Sequence, residues 1–312
     1  MKIFCVGQLV ADIIVTGVEN IHMDVDTMNV DGILTKNGGD SMNTAIALAK
    51  LGADVDFGGM VGDDLFGRFL AQILEENGID TSQLCISENT PTGSVIVLVQ
   101  PDGNRAFLYS GGTNRLYGLD QIDFSSLNKY THLHIGGTYQ MDMLDGNNAA
   151  KLFKEARRQG LTTSMDVTWD PLNRWMFVIK PCLPHLDLFI PSDNEAKHIT
   201  KTEDPAEMAE CLINHGVDNA IIKLGKDGAY VREKDKEGYY LPAYKGKVVD
   251  TTGAGDSFIA GFLSRYVKGL PICECTKFAM AVATHCIREI GTTTGIPDEE
   301  TIIKYLENYK KE

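Results

Sequence analysis

Asp250-Thr251-Thr252-Gly253-Ala254-Gly255-Asp256-Ser257-Phe258 follows a short apolar pair, Val248-Val249, and opens a helical stretch. Small residues at 253–255 let the backbone curl so that several N–H groups can point at one spot. The dipole of the following helix adds positive potential there. The segment reads as an anion hole in an α/β chain. Asp256 would stand in the first helical turn beside that hole. A carboxylate repels an anion, so its place needs a reason. One reason is a hydroxyl nucleophile that must lose its proton as it attacks a phosphoryl group. The plainer alternative is an acidic residue serving the helix dipole beside an incidental glycine turn. From this segment alone the two stand level.

Upstream, Gly38-Gly39-Asp40-Ser41-Met42-Asn43-Thr44-Ala45 precedes the first long helical pattern. A glycine pair permits close backbone approach to a ligand, and Asn43 offers both a donor and an acceptor, which suits a sugar hydroxyl. A plain loop before a helix capped by Ser41 explains the same residues. Asp12, just after the first apolar run, is a third polar group at a strand end.

Around these segments, strands and helices alternate. Residues 3–6, 55–58, 132–135, 161–167, 186–190 and 220–224 read as strands. Residues 41–51, 65–77, 148–159, 205–215, 255–267 and 276–290 read as helices. Such alternation means a mostly parallel sheet with helices on both faces. Residues 94–99 and 105–109 flank Pro101-Asp102-Gly103-Asn104, a hairpin signal, and 229–232 with 239–241 read as a second hairpin. The β-rich pieces at 13–36 and 91–112 do not fit the alternation. They are expected to form a small β-sheet lid on a core of residues 1–12, 37–90 and 113–312.

The 312 residues suffice for a sizeable core, and 43% apolar with 23% charged content sets aside disorder and coiled coil. Against 29 Lys and Arg stand 43 Asp and Glu, for a net charge of −14. That argues against nucleic acid and anionic membranes as partners. No apolar run approaches a membrane span. The seven cysteines are odd in number and scattered, so reduced thiols and a cytoplasmic location are expected. Cys273 and Cys275, with His285 and Cys286, lack the usual zinc spacing. His132 and His134 read as a structural pair on one strand face.

No GxxxxGK[ST], no GxGxxG after the first strand, no GxSxG and no HExxH occur. Gly62-Asp-Asp-Leu-Phe-Gly67 has a P-loop's glycine spacing, but Arg68-Phe69 follows. Instead, Gly38-Gly39…Asn43…Ala47…Leu51-Gly52, then Gly59…Val61-Gly62-Asp63-Asp64…Gly67, with the late Asp250-Thr-Thr-Gly-Ala-Gly-Asp256, resemble the two signatures of the PfkB carbohydrate kinases, the ribokinase-like sugar kinases. The resemblance runs over nearly the whole chain. It implies a three-layer α/β/α core with a β lid, and an ATP-dependent kinase.

Carried over by position, the resemblance implies Asp256 as catalytic base and Gly253, Ala254 and Gly255 as the anion hole. Asp12, Gly38, Gly39 and Asn43 would bind sugar hydroxyls, with Asp40 in the same loop. Lys223, Gly225 and Gly228 match the nucleotide-binding strand end. Asp250 and Thr252, with the 291–295 loop, match where many members hold a monovalent cation such as K⁺. Glu195 keeps the carboxylate of a motif that helps to organise Mg²⁺, while Ser192 replaces its Asn. Asp166…Arg174-Trp175 resembles a stretch of the fructokinase-like and ketodeoxygluconate-kinase-like branches.

These readings converge on transfer of a phosphoryl group from ATP to a hydroxyl of a small uncharged sugar or polyol. A nucleoside is the alternative acceptor, because Phe107 and Tyr109 lie on a lid strand and could stack a base. Catalytic loss and dinucleotide oxidoreduction are weaker rivals. Lys36 and Arg105 are the nearest cations in sequence to the acceptor loop, and Arg105, at a hairpin tip, is expected to be solvated. The exposed lid is expected to pair with another copy as a homodimer.

Overall fold

The computed structural model describes residues 1–21 and 24–309. Its first half runs β1 (Lys2–Gly7), β2 (Val10–Thr16), β3 (Gly32–Gly38), α1 (Asp40–Lys50), β4 (Asp54–Gly62), α2 (Leu65–Glu76), β5 (Asp80–Ser87), β6 (Ser94–Val99), β7 (Arg105–Ser110), β8 (His132–Thr138) and α3 (Asn147–Arg158). The second half runs β9 (Thr162–Val167), α4 (Met176–Ile179), β10 (Leu188–Phe189), α5 (Asp193–Thr200), α6 (Pro205–Asn214), β11 (Asn219–Lys223), β12 (Ala229–Glu233), β13 (Tyr239–Leu241), α7 (Ala254–Tyr266), α8 (Ile272–Cys286) and α9 (Glu299–Tyr309).

Nine strands form the main sheet in the order β13-β12-β11-β10-β9-β8-β1-β4-β5. From β5 across to β11 the pairs are parallel, and β12 and β13 add antiparallel at one edge. Central strands of such a sheet are buried on both faces and read as continuous apolar runs. In β1, Ile3 and Cys5 join one core with Leu48, Phe262 and Ala279, while Phe4 and Val6 join the other with Phe153 and Leu212. The pleat of one strand thus feeds two helical layers, and the result is the expected three-layer α/β/α arrangement.

The smaller sheet has the order β3-β2-β6-β7. Its register puts Asp12, Val95, Val97, Arg105, Phe107 and Tyr109 on one face, and Ile13, Ile33, Ile96 and Leu108 on the other. Asp64 fastens the point where the chain enters this sheet. Its carboxylate accepts from the Thr92 amide and hydroxyl, both at 2.8 Å, and caps α2 at Gly67 N.

His132 and His134 are the structural pair expected. Ser164 Oγ lies 2.7 Å from His132 Nε2 and 2.8 Å from His134 Nδ1, and Thr162 Oγ1 lies 2.7 Å from His132 Nδ1. Burial lowers both imidazoles to about 3, so both are neutral.

Several expectations need correction. Ser41 does not cap α1. The helix starts at Asp40, after Gly39, and the Ser41 hydroxyl is buried with no hydrogen-bond partner among the described residues. α8 begins at Ile272, directly after Pro271, rather than at 276, because proline fits a helix start. β5, α5 and α9 were not anticipated. β5 is a half-polar edge strand, and α9 buries only Ile302. α5 opens with a Ser192–Glu195 capping box, a signal that was present in the sequence.

Candidate active site

β1 lies between β8 and β4, so strand numbers rise in both directions from it. Ligands of open α/β sheets bind at such a switch point, beyond the strands' carboxyl ends. Here the backbones crowd together. A Cβ on Gly7, which has φ +140°, would sit 2.1 Å from the Gly136 carbonyl oxygen. Gln8 N donates to Gly136 O, and Met42 N donates to Gln8 O, which brings the start of α1 over the switch point. Gly39, at φ +91°, is pressed against Gln8 and Leu9, where its added Cβ would meet backbone at 2.7 Å.

α7 packs beside α1, and their side chains meet at Asp256. Asn43 Nδ2 donates to Asp256 Oδ2 at 2.8 Å, and Asn37 Nδ2 donates to Asn43 Oδ1 at 3.0 Å. Burial raises the Asp256 carboxyl to about 6, although the Asn43 bond and Lys223 pull it back. Asp12 comes to the same place from β2. Burial and the neighbouring Asp256 charge push it up to about 7. A Cβ on Gly38 would lie 2.3 Å from Asp12 Oδ1, so glycine there makes room for this carboxylate. Asn43 thus bonds Asp256 and Asp12 lies near enough to feel its charge, while Gly38 packs against Asp12 and Gly39 against Gln8 and Leu9. Gln8 Nε2 donates to the Tyr109 hydroxyl at 2.9 Å, closing the lid onto the same end of β1.

On the other side of Asp256 lies a cleft of about 790 Å³. Asp40, Asp166, Glu195, Lys223, Ala254 and Gly255 line its polar end, and Tyr244, Val248, Met280, Ala283 and Ile287 give it an apolar floor. Asp40 thus faces this cleft with Lys223. Lys223 Nζ is 3.4 Å from Asp166 Oδ1, and 3.3 Å from where a Gly255 Cβ would be. Burial opposes the charge on Lys223, but Asp166, Glu195 and Asp256 outweigh it and raise its pKa. Gly253 turns the chain into α7 at φ +76°, tight against Thr292. The Ala254 amide is spent on the Thr251 carbonyl. Gly225 and Gly228 form the positive-φ turn between β11 and β12 that borders the cleft.

Glu195 lines the cleft while its Oε2 accepts from Ser192 N at 2.7 Å. Among the described residues no group of three or more His, Cys, Asp or Glu could hold a metal alone. A magnesium ion would therefore lean on phosphate oxygens and water, as Mg²⁺ commonly does. Arg174 is not brought into the cleft. It bonds Asp170 and the Tyr139 carbonyl instead.

Arg105 departs in part from its expectation. Although it stays exposed, it is paired: its Nη2 lies 3.0 Å from Asp250 Oδ1 and its Nη1 donates to Thr252 Oγ1 at 2.5 Å. Asp250 and Thr252 are the pair expected to hold a monovalent cation.

A family model, pfkB family carbohydrate kinase, matches residues 1–299. The chain belongs to that family. It is a carbohydrate kinase, a phosphotransferase with an alcohol group as acceptor, and it binds ATP. An uncharacterized sugar kinase of Archaeoglobus fulgidus is 33% identical over 81% of this chain and 98% of its own length. A ribokinase of Arabidopsis thaliana is 28% identical over 96% of this chain and 80% of its own. The structure of Arabidopsis thaliana ribokinase complexed with ribose and ATP superposes with a TM-score of 0.87 at 25% identity, covering 98% of both chains. The nine-stranded sheet with its four-stranded lid is thus the ribokinase-like fold.

Sequence reading of this kinase missed Gln8, Asn37 and the cleft floor. Asn37 adjoins the glycine pair and could have been included with it. Gln8 and the floor carry no local signal.

Proposed function

We propose that this kinase transfers the γ-phosphoryl group of ATP to a hydroxyl of a small uncharged sugar or polyol, with Asp256 as general base. The observation that carries it is the buried Asp256 carboxylate, held by Asn43 at 2.8 Å between the Asp12 pocket and the Lys223 cleft. The acceptor oxygen bonds the γ-phosphorus as the bond from that phosphorus to the bridging oxygen of ADP breaks. The acceptor's proton passes to Asp256. Lys223 and the free amides of the α7 first turn stabilise phosphate charge. The floor from Tyr244 to Ile287 takes the adenine. Bound Mg²⁺ would neutralise further phosphate charge, with Glu195 the carboxylate placed to orient its waters. The lid excludes water that would otherwise hydrolyse ATP.

The acceptor pocket supports an uncharged substrate. Asp12 and Asp256 accept hydrogen bonds from hydroxyls, and Gln8, Asn43 and Tyr109 are neutral. Arg105 is committed to Asp250, and Lys36 is exposed. A sugar phosphate would bring about two negative charges among carboxylates, costing several kcal/mol even at an effective dielectric of ~20. An ATP-consumption screen of hexoses, pentoses, polyols, their monophosphates and nucleosides tests this reading. A tenfold or greater preference in kcat/KM for any monophosphate would defeat it. Preference for a nucleoside would favour the second reading, which rests on Phe107 and Tyr109 sharing the Asp12 face of the lid.

The opposite lid face supports a homodimer. Ile33, Ile96 and Leu108 stand exposed there, an apolar face that a second lid would cover. A monomeric mass by light scattering at working concentration would contradict it.

A further inference from the structure

The Asp250 carboxylate is fully engaged. Oδ1 accepts from the Thr252 amide at 3.0 Å and the Thr252 hydroxyl at 2.7 Å, besides the Arg105 guanidinium. Oδ2 accepts from the Gly291 amide at 3.1 Å. Two carbonyls of the 291–295 loop are engaged as well. Lys50 Nζ donates to Thr293 O at 2.7 Å, and Cys286 Sγ sits 3.4 Å from Thr292 O. A bare monovalent cation at this loop would have to displace a guanidinium from a nearly buried carboxylate and compete with a lysine for a carbonyl. The residues present do not fit an added ion. They already hold two side-chain cations.

We propose that Arg105 is the built-in cation of the Asp250 loop, a lid-borne guanidinium that replaces a monovalent ion and latches the closed lid to the turn leading into α7. Three features support this. The lid register puts Arg105 on the same face as Asp12 and Tyr109, so one face of the lid presents all three. The guanidinium, 36% exposed in its side chain, bridges two residues of the turn rather than one. The turn it grips runs directly into Gly253, whose backbone is wedged against Thr292. Arg105 therefore holds lid, turn and 291–295 loop in one arrangement. It is a positioning residue, since it acts through Asp250 and Thr252 on the amides of the α7 start.

The kinetic arm of the test rests on the proposed kinase reading, whereas the exchange arm does not. In the ligand-free protein, Arg105→Gln should speed amide exchange in residues 250–255 and 291–295 by about tenfold, the scale expected on losing a charge-assisted hydrogen bond. K⁺, but not tetramethylammonium, should slow that exchange again in the variant and leave the parent unchanged. In turnover, the parent should run at equal rates, within about twofold, in either salt. Arg105→Gln should lose about tenfold in kcat in tetramethylammonium, with a smaller change in KM for ATP, and regain part of it in K⁺. Arg105→Lys should fall between the two. Severalfold activation or protection of the parent by K⁺ would overturn the proposal. So would an Arg105→Gln protein whose loop exchange matches the parent. Altered loop exchange without sugar phosphorylation would instead uphold the latch and defeat only the substrate reading.

Discussion

The side-chain amide of Asn43 donates to the carboxylate of Asp256 across 2.8 Å, joining the helix that follows the lid strands to the helix that follows the Gly253 turn. The donated hydrogen bond stabilises the charged carboxylate more than the neutral acid. The bond therefore opposes burial, which raises the Asp256 carboxyl. Asn37, one residue before the glycine pair, fixes which way the Asn43 amide points, because its own amide donates to Asn43 Oδ1.

Asp256→Asn should keep the fold and ATP binding but lower kcat by ~10²–10⁴, the usual weight of a positioned base. Isothermal titration with ATP and steady-state rates measure the two separately. Turnover within a few-fold of the parent would remove Asp256 as base.

In the parent, kcat/KM for the acceptor should rise with pH through an apparent pKa of about 6, as Asp256 loses its proton. Asn43→Ala removes a bond that lowers this value. Its acid limb should move to higher pH, with a loss of about tenfold or more in kcat at neutral pH. A pH–rate profile with an unmoved limb would show that Asn43 does not tune the base.

Asp12→Asn should raise the KM for the acceptor and, unusually for a site variant, stabilise the ligand-free protein at alkaline pH. The folded pKa of Asp12, about 7, lies above its unfolded value. The folded state therefore binds the extra proton, and stability is lost as pH rises through about 7. The neutral amide has no such loss. Because the loss accrues from the unfolded carboxylate range up to about pH 7, the gain in Tm over the parent should be at least about 2 °C larger at pH 8 than at pH 5, given that ~1 kcal/mol moves Tm by ~2–4 °C in a domain of this class. A gain independent of pH would contradict the linkage.

Legibility followed the range of the interaction. The Asp102-Gly103 turn, the glycine pair and the 253–255 turn are local, and each appeared in the structure near its expected place. The Ser192–Glu195 capping box was equally local, yet the same four residues also fit a metal motif, and that reading hid the helix. Arg105 shows the opposite limit. Its neighbours in sequence make it a hairpin residue, while its partners stand 145 and 147 positions away. Only the pairing of β7 with β6, and of β6 with β2, puts it over the Asp250 turn.

Lys223→Met should raise the KM for ATP by about tenfold or more. It should also destabilise the protein more at pH 8 than at pH 6. Burial already raises Asp166 to about 7, with Lys223 pulling the other way. Without the lysine the folded pKa of Asp166 rises further above its unfolded value, so stability goes on being lost as pH rises past about 7, where the parent's loss is already complete. Denaturant unfolding at the two pH values tests the difference, and equal losses would mean that the pair is not the cause.

The two histidines beneath the switch point carry a direction. Thr162's hydroxyl donates to the Thr131 carbonyl at 3.3 Å, so its oxygen accepts the proton of His132 Nδ1. His132 Nε2 is then a bare lone pair, and Ser164 must donate to it. Ser164's oxygen in turn accepts from His134 Nδ1, and His134 Nε2 is left as the open end, buried and without a partner among the described residues. One polarised file thus runs from β8 into β9 and back, with a single tautomer at each ring. Replacing Ser164 by alanine would break the file in its middle and strand a ring nitrogen of each histidine inside the sheet.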